Sequence, residues 1–382
     1  MRRLKIGFLT SDDARSRTMW SGSPFYMAQA LRRHCGEVVY LGPAYSPVEL
    51  TGKVLNKLSQ KILGRRRAYH HTFRLSRQYA RIFRKRLRSD LDVIFAPGGA
   101  TQVALLQTDL PIVYTSDATF ERMHDYYPAF SGLTEEYAAD ANEIERLTLE
   151  RCSAVLYPSE WAAESARSFY GADPSKIHVV PYGANLDTVP PRELLAHSKR
   201  EDVCRVLFLG VDWERKGGPI AYEAVAALRG MGMKAELTVC GCVPPAKYRA
   251  EWVRVIRRLN KNDPAQQAEL SNLLLTASFL LVPTRHECYG LVFCEASAHG
   301  TPSLATDTGG VGGAVQHGRN GFLLPPSAPP GEYARLMREC FLDRERYLRM
   351  VASSRDAYDE SLNWDAWAAR ACRVLADACA SR

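Results

Sequence analysis

Short apolar runs alternate with amphipathic stretches from one end of this 382-residue chain to the other. Residues 6–10 (IGFLT), 38–41 (VVYL), 93–97 (VIFAP), 112–116 (IVYTS), 154–158 (AVLYP) and 177–181 (IHVVP) read as buried strands. Between them, 24–34, 53–88, 135–151 and 160–170 repeat apolar residues at helical spacing. Apolar strands alternating with helices predict a parallel sheet covered on both faces. The pattern breaks at 182–192 (YGANLDTVPPR), where a Gly and two consecutive Pro residues make linker chemistry. It restarts with strands at 205–210, 235–241, 279–284, 302–306 and 322–325, and helices at 218–229, 264–276, 290–299 and 332–341. The expected fold is α/β with two doubly wound domains, 1–187 and 188–357. A last amphipathic segment, 358–382 with its helix at 363–380, packs back on the first domain. Ligands in such sheets bind beyond the carboxyl ends of the strands, so the expected site is a cleft that both sheets face.

Composition narrows the class further. With 46% hydrophobic and 24% charged residues the chain can bury a real core, which excludes a disordered or collagen-like protein. The ten cysteines are scattered and form no C-x-x-C pair, so the expectation is buried, reduced thiols with no structural zinc. The opening MRRLKIGFLTSDDARS runs from an apolar stretch into a charged loop, which reads as a first strand and not a leader. No stretch approaches the roughly 20 apolar residues of a membrane span.

Charge is distributed unevenly. Residues 50–89 hold thirteen Lys and Arg and no Asp or Glu; without them the net charge of +8 becomes −5. Tyr69, Phe73, Leu75, Tyr79, Ile82, Phe83 and Leu87 interleave with the cations at helical spacing, as in a basic amphipathic helix or helix pair. Such a segment seeks a negatively charged partner: an anionic membrane surface, a lipid-phosphate acceptor or nucleic acid. The alternative is a solvated helix whose apolar stripe docks on the sheet.

Three stretches carry the chemistry. In 283–302 (PTRHECYGLVFCEASAHGTP) a strand ends, Glu287 follows in a loop before Tyr289, and Gly290 and Leu291 present backbone amides at the start of a helix. That is a ready anion site, and Glu295 one turn inside can accept hydrogen bonds from a diol such as a ribose. In 208–218 (FLGVDWERKGG) a strand runs into Gly210, and Arg215 and Lys216 stand before a helix, two fixed cations suited to a pyrophosphate leaving group. In 306–313 (TDTGGVGG) four glycines allow close backbone approach to a ligand. This last stretch does not satisfy the dinucleotide fingerprint G-x-G-x-x-G.

Together, P-[ST]-x-x-E-x-[FY]-G…E and the preceding G-x-D-x-x-R-K-G resemble the family-four retaining glycosyltransferases. That group includes bacterial phosphatidylinositol mannosyltransferases and lipopolysaccharide core glucosyltransferases. Residues 179–185 (VVPYGAN) are similar to the family's V-I-P-N-G-V signature, and the likeness spans nearly the whole chain. It implies a GT-B fold with the nucleotide-sugar donor held mainly by the second domain. By position it implies that Glu295 binds the ribose and Glu287 faces the donor sugar. Arg215, Lys216 and the amides of Tyr289, Gly290 and Leu291 would hold the phosphates. In the first domain it implies a loop over the donor phosphate at Gly22, with Gly98 and Gly99 bordering the cleft. Asp117 would contact a donor hydroxyl or the acceptor; His124 reads as a surface histidine. Two positions depart from the pattern: Val211 stands where many members have Arg, and Tyr182 replaces the signature Asn.

The implied reaction moves a sugar from a UDP- or GDP-sugar, with retention, to a glycan or lipid-linked acceptor of the cell envelope. No resident cofactor and no metal are expected: Asp12 and Asp13 lie in a loop and lack the setting of a pyrophosphate clamp. Arg65, Arg66, Arg67, Tyr69 and Phe73 are the expected acceptor or membrane contacts. The implied location is cytoplasmic, peripheral on the inner face of the membrane, with nucleic acid the less favoured partner. Two other classes stay open: a membrane- or nucleic-acid-binding protein on an inactive scaffold, and a phosphorylase or epimerase on the same fold.

Overall fold

A computed structural model describes residues 3–63, 69–199 and 202–380, and the chain divides into two compact units, 1–181 with 367–382, and 182–366. The chain leaves the first unit at Pro181 and re-enters it at Trp367, where the sequence reading placed boundaries at 187 and 358.

In the first unit, β1 (Leu4–Phe8), β2 (Gly36–Tyr40), β3 (Val93–Pro97), β4 (Ile112–Thr115), β5 (Ala154–Tyr157) and β6 (Ile177–Val179) form one parallel sheet in the order β2-β1-β3-β4-β5-β6. Ile6 pairs with Val38 on one side and Val93 on the other. The connecting helices are α1 (Ser23–His34), α2 (Pro47–Leu63), α3 (Phe73–Arg84), α4 (Ala100–Val103), α5 (Phe120–Met123), α6 (Glu135–Arg151) and α7 (Glu160–Ser168). Thr72, Thr119, Thr134 and Ser159 cap α3, α5, α6 and α7 by accepting from a backbone amide in the first turn. Strand order reverses between β1 and β3, which opens a crevice beyond their carboxyl ends.

The second unit opens with α8 (Arg192–His197). Its strands β7 (Cys204–Leu209), β8 (Ala235–Cys240), β9 (Val253–Ile256), β10 (Phe279–Val282), β11 (Ser303–Thr306) and β12 (Gly321–Leu324) run parallel in the order β12-β11-β10-β7-β8-β9. Helices α9 (Gly218–Gly230), α10 (Pro264–Thr276), α11 (Leu291–Ala298), α12 (Pro330–Leu342) and α13 (Arg344–Glu360) connect or follow them. Val206, Phe208, Leu237, Phe279, Leu281, Tyr333 and Met337 pack one core. The switch point falls between β7 and β10. Strand β9, α8 and α13 were not legible in the sequence: β9 is exposed or half-exposed along its length and lacks the apolar run of a central strand.

The basic segment departs from expectation in a way that matters. It is two helices, α2 and α3, and their apolar faces have different fates. The interleaved aromatics of α3, Tyr79 and Phe83, are buried in the first unit's core with Leu75. Tyr69 and Phe73 are half-buried, and Arg65, Arg66 and Arg67 lie outside the described residues. The apolar face left to solvent belongs to α2: Leu50 (66% exposed), Val54, Leu55, Leu58 and Ile62 (74%). Their spacing is helical and was readable, but only the packing reveals that nothing among the described residues covers them.

The thiol expectation needs correcting as well. Cys35 and Cys372 form a disulfide across 337 residues of sequence. It joins the end of α1 to the closing helix α14 (Trp364–Ala380), which the chain's return to the first unit brings alongside. The other eight cysteines are free, six of them buried.

Candidate functional site

The cluster in the second unit assembles at the β7/β10 switch point. The loop after β7 carries Arg215 and Lys216; the loop after β10 carries Glu287 and leads into α11. Two glycines let these loops touch. A Cβ on Gly210 would lie 2.9 Å from Lys216 Cγ, so the lysine stem rests directly on the strand end. A Cβ on Gly217 (φ +77°) would lie 1.9 Å from the Pro283 carbonyl oxygen. The seam is closed by the Arg285 amide donating to the Arg215 carbonyl at 2.8 Å and by the Arg215 guanidinium donating to the His286 carbonyl at 3.0 Å.

Lys216 Nζ pairs with Glu287 Oε2, with side chains only 12% and 10% exposed. At 3.1 Å the Gly310 amide donates to the Glu287 carbonyl, which seats the glycine-rich loop against the same residue. Gly290 takes φ +91° as the residue before α11, and the amides of Tyr289, Gly290 and Leu291 donate to no group among the described residues. They are oriented donors at the positive end of a helix, the arrangement that receives phosphate. Glu295, 3% exposed, pairs with Lys261 Nζ. The sequence reading missed Lys261, which sits in a polar loop before α10 with no motif to mark it.

The side chain of Tyr289 is committed to packing. Its hydroxyl donates to the Tyr182 carbonyl at 3.0 Å and its ring meets Tyr182 edge-on. Burial pushes its phenol far above the usual range. Tyr182, which replaces the signature Asn, is therefore a packing residue, stacked also on Trp364. Val211, where many family members have Arg, points to solvent.

In the first unit, the loops after β1, β3 and β4 converge. Gly22 (φ +92°) precedes α1, and Gly98 (φ +60°) ends β3 with its amide donating to the Thr115 carbonyl at 2.8 Å. Gly99 opens α4. Asp117 Oδ2 accepts from Trp20 Nε1 at 3.1 Å. Trp20, Asp117 and Gly98 line a cavity of about 240 Å³ together with His71, Tyr114, Ser116 and Glu145. Trp20, His71 and Glu145 were not foreseen. For Glu145 a signal existed: it shares the inward stripe of α6 with Ala138, Ala141, Ile144 and Thr148. His124, read as a surface histidine, is partly exposed and stacked on Phe120, and Asp13 is engaged by Arg15.

Two parallel, doubly wound units of this kind define the GT-B class of fold, and solved structures share it. The sucrose-phosphate synthase of Thermosynechococcus elongatus matches over 100% of both chains with a TM-score of 0.69 and 17% identity. Anabaena HepE, solved with UDP and glucose, matches over 98% of this chain and 100% of its own with a TM-score of 0.64 and 15% identity. Within the sequence, the profile of Glycosyltransferase Family 4 matches residues 25–188, and that of glycosyl transferases group 1 matches 204–343. The chain belongs to the family-four glycosyltransferases. A D-inositol 3-phosphate glycosyltransferase of Jonesia denitrificans is 26% identical over 288 residues, 70% of this chain and 66% of that relative. The chain spans 51% to 70% of the length of such curated relatives.

Proposed function

We propose that the protein moves a sugar from a UDP- or GDP-sugar to a hydroxyl of a cell-envelope acceptor, with retention at the anomeric carbon. The observation that carries this reading is the cluster at the β7/β10 switch point. Its parts are Lys216 on Glu287, three backbone amides with no acceptor among the described residues, and the buried carboxylate of Glu295. Charge grows on the departing phosphate as the glycosidic bond lengthens, and Arg215, Lys216 and the start of α11 are donors held in place before it develops. Glu287 accepts from the donor sugar and Glu295 from the ribose diol. The leaving phosphate takes the acceptor proton, so the reading invokes no metal and no resident cofactor. A turnover assay across UDP-, GDP- and ADP-sugars tests it; consumption of none of them removes the reading.

Glu295 gives a binding test that does not depend on the acceptor. Glu295→Ala should weaken UDP or GDP, whichever the protein prefers, by about 1–3 kcal/mol, because the diol loses a buried acceptor. Titration calorimetry reads this directly, and an unchanged affinity would place the ribose elsewhere.

We also assign the face of α2 and α3 to an anionic membrane surface at the cytoplasmic side. No helix among the described residues is long and apolar enough to cross a membrane. The support is that α2 leaves Leu50, Val54, Leu55, Leu58 and Ile62 exposed and carries Lys57 and Lys61 on the same helix. Arg74, Arg77, Arg81, Arg84 and Lys85 have no acidic partner among the described residues, whereas Lys53 pairs with Glu49 and Arg88 with Asp90. Near an anionic leaflet each Lys or Arg contributes about 1 kcal/mol, screened by salt. Binding to phosphatidylglycerol vesicles should fall from low to high salt. It should also fall in Leu55→Ser/Leu58→Ser/Ile62→Ser and in Arg77→Ser/Arg81→Ser. A protein that ignores such vesicles at low salt has no membrane role for this face.

A further inference from the structure

His299 is a buried titratable group that the sugar-transfer reading does not use. It follows the last residue of α11, and both of its ring nitrogens are engaged. Nδ1 lies 2.8 Å from the Glu295 carbonyl oxygen, and Nε2 lies 2.9 Å from the Ser271 hydroxyl on α10. At this end of α11 the chain tightens. The His299 amide donates to the Ala296 carbonyl at 3.0 Å, and the ring meets the carbonyl one residue earlier. A carbonyl only accepts, so Nδ1 carries the hydrogen and Nε2 accepts from the Ser271 hydroxyl. Burial lowers the imidazole to about 4 against the pull of that carbonyl, so near pH 7 the ring is neutral, with one donor and one acceptor.

The bridge to α10 reaches Glu295 a second time, at its side chain. Asp263 caps α10, its carboxylate accepting from the amides of Ala265 at 2.9 Å and Gln266 at 3.3 Å. Gln266 reaches back: its Nε2 donates to Asp263 Oδ2 at 2.9 Å, and its Oε1 accepts from the Asn260 amide at 2.8 Å. These bonds fasten the turn that carries Lys261 to the first turn of α10, and Lys261 Nζ pairs with the Glu295 carboxylate. The backbone and the side chain of Glu295 therefore belong to one closed circuit. It runs through His299, Ser271, α10 and the turn at 260–263. A break at Ser271 frees α10 to shift against α11, and Lys261 shifts with it.

We propose that His299 is a positioning residue for Glu295: by clamping α11 to α10 through Ser271 it sets both the helix that presents the carboxylate and the ammonium that faces it. That the carboxylate holds a ribose rests on the sugar-transfer reading above. The clamp itself does not.

The test uses the intact protein, first without nucleotide. Trace acetylation of lysines with acetic anhydride, read peptide by peptide by mass spectrometry, reports how firmly Lys261 is held. Ser271→Ala deletes one hydroxyl from a half-buried site. His299→Asn keeps a donor for the Glu295 carbonyl but stops short of α10. Each should raise Lys261 labelling by about threefold or more, towards the level of Glu295→Gln, and add nothing in the Glu295→Gln background. Lys216, paired with Glu287 in the same unit, is the control and should stay as slow as in the unaltered protein. Calorimetry then follows UDP and GDP. Affinity for the preferred nucleotide should fall by about threefold or more in each variant, and neither loss should persist in Glu295→Ala. Unchanged Lys261 labelling overturns the proposal, as does an equal rise at Lys216, which marks general loosening. So does a loss of affinity that is undiminished in Glu295→Ala. Should His299→Asn not fold, Ser271→Ala decides alone. Raised Lys261 labelling without binding of either nucleotide sustains the clamp and sinks the transfer reading only. Nucleotide binding with unchanged labelling sinks the clamp only.

Discussion

Replacing Lys216 by Ala lowers turnover of the nucleotide sugar by about 10²–10³-fold, or about 2.7–4 kcal/mol, and raises the donor Michaelis constant far less. The lysine is not a mobile surface cation. Its stem lies on Gly210, and its ammonium is held by Glu287 in a nearly buried pair. A donor fixed in this way is already in place when the phosphate takes up charge. Its contribution therefore appears mainly in the transition state, which is what separates the effect on turnover from the effect on binding. The substitution also leaves Glu287 without its cation, so thermal melting of the variant belongs beside the steady-state kinetics. A folded Lys216→Ala variant with normal turnover would remove the lysine from the reaction.

Gly217→Ala should destabilise the second unit by about 2–5 kcal/mol and disable the cluster at the same time. Two costs add. The left-handed backbone (φ +77°) costs a residue with a Cβ about 1–2 kcal/mol. That Cβ would also stand 1.9 Å from the Pro283 carbonyl oxygen, a backbone atom that cannot swing aside. Overpacking of this kind costs roughly 1–3 kcal/mol more. Gly232 is the internal control. Its φ is +83°, but a Cβ there meets nothing within 4 Å, so Gly232→Ala carries only the backbone cost. Denaturant midpoints at constant slope compare the two. Equal losses would show that the loops after β7 and β10 are not seated against each other as described.

Most of the second unit's cluster could be read from the chain alone, because its parts are local. Glu287, the amides of 289–291 and Glu295 fall within one strand, loop and helix, and Arg215-Lys216 within another. Nine residues at fixed spacing specify both the helix start and the distance to the second carboxylate, whatever the rest of the molecule does. Lys261 is the exception. It reaches Glu295 from a polar loop whose sequence says nothing about direction.

In the first unit the balance is reversed. Periodicity announced amphipathic helices over the basic segment, since helical spacing is a property of the backbone and survives without any partner. It did not announce which face finds a partner. Tyr79 and Phe83 are buried and Leu55 and Ile62 are not, because α3 rather than α2 packs into the core beneath it. The cavity joins Trp20, His71, Asp117 and Glu145 from four separate stretches of chain. Cys35 meets Cys372 only because the chain returns to the first unit after completing the second. Alternating apolar runs and glycine-punctuated loops determined that this chain builds two parallel sheets, since those signals act over a few residues. Which polar groups meet at the first unit's crevice, and which apolar face stays uncovered, is a matter of long-range closure, where contacts distant in sequence decide what is buried.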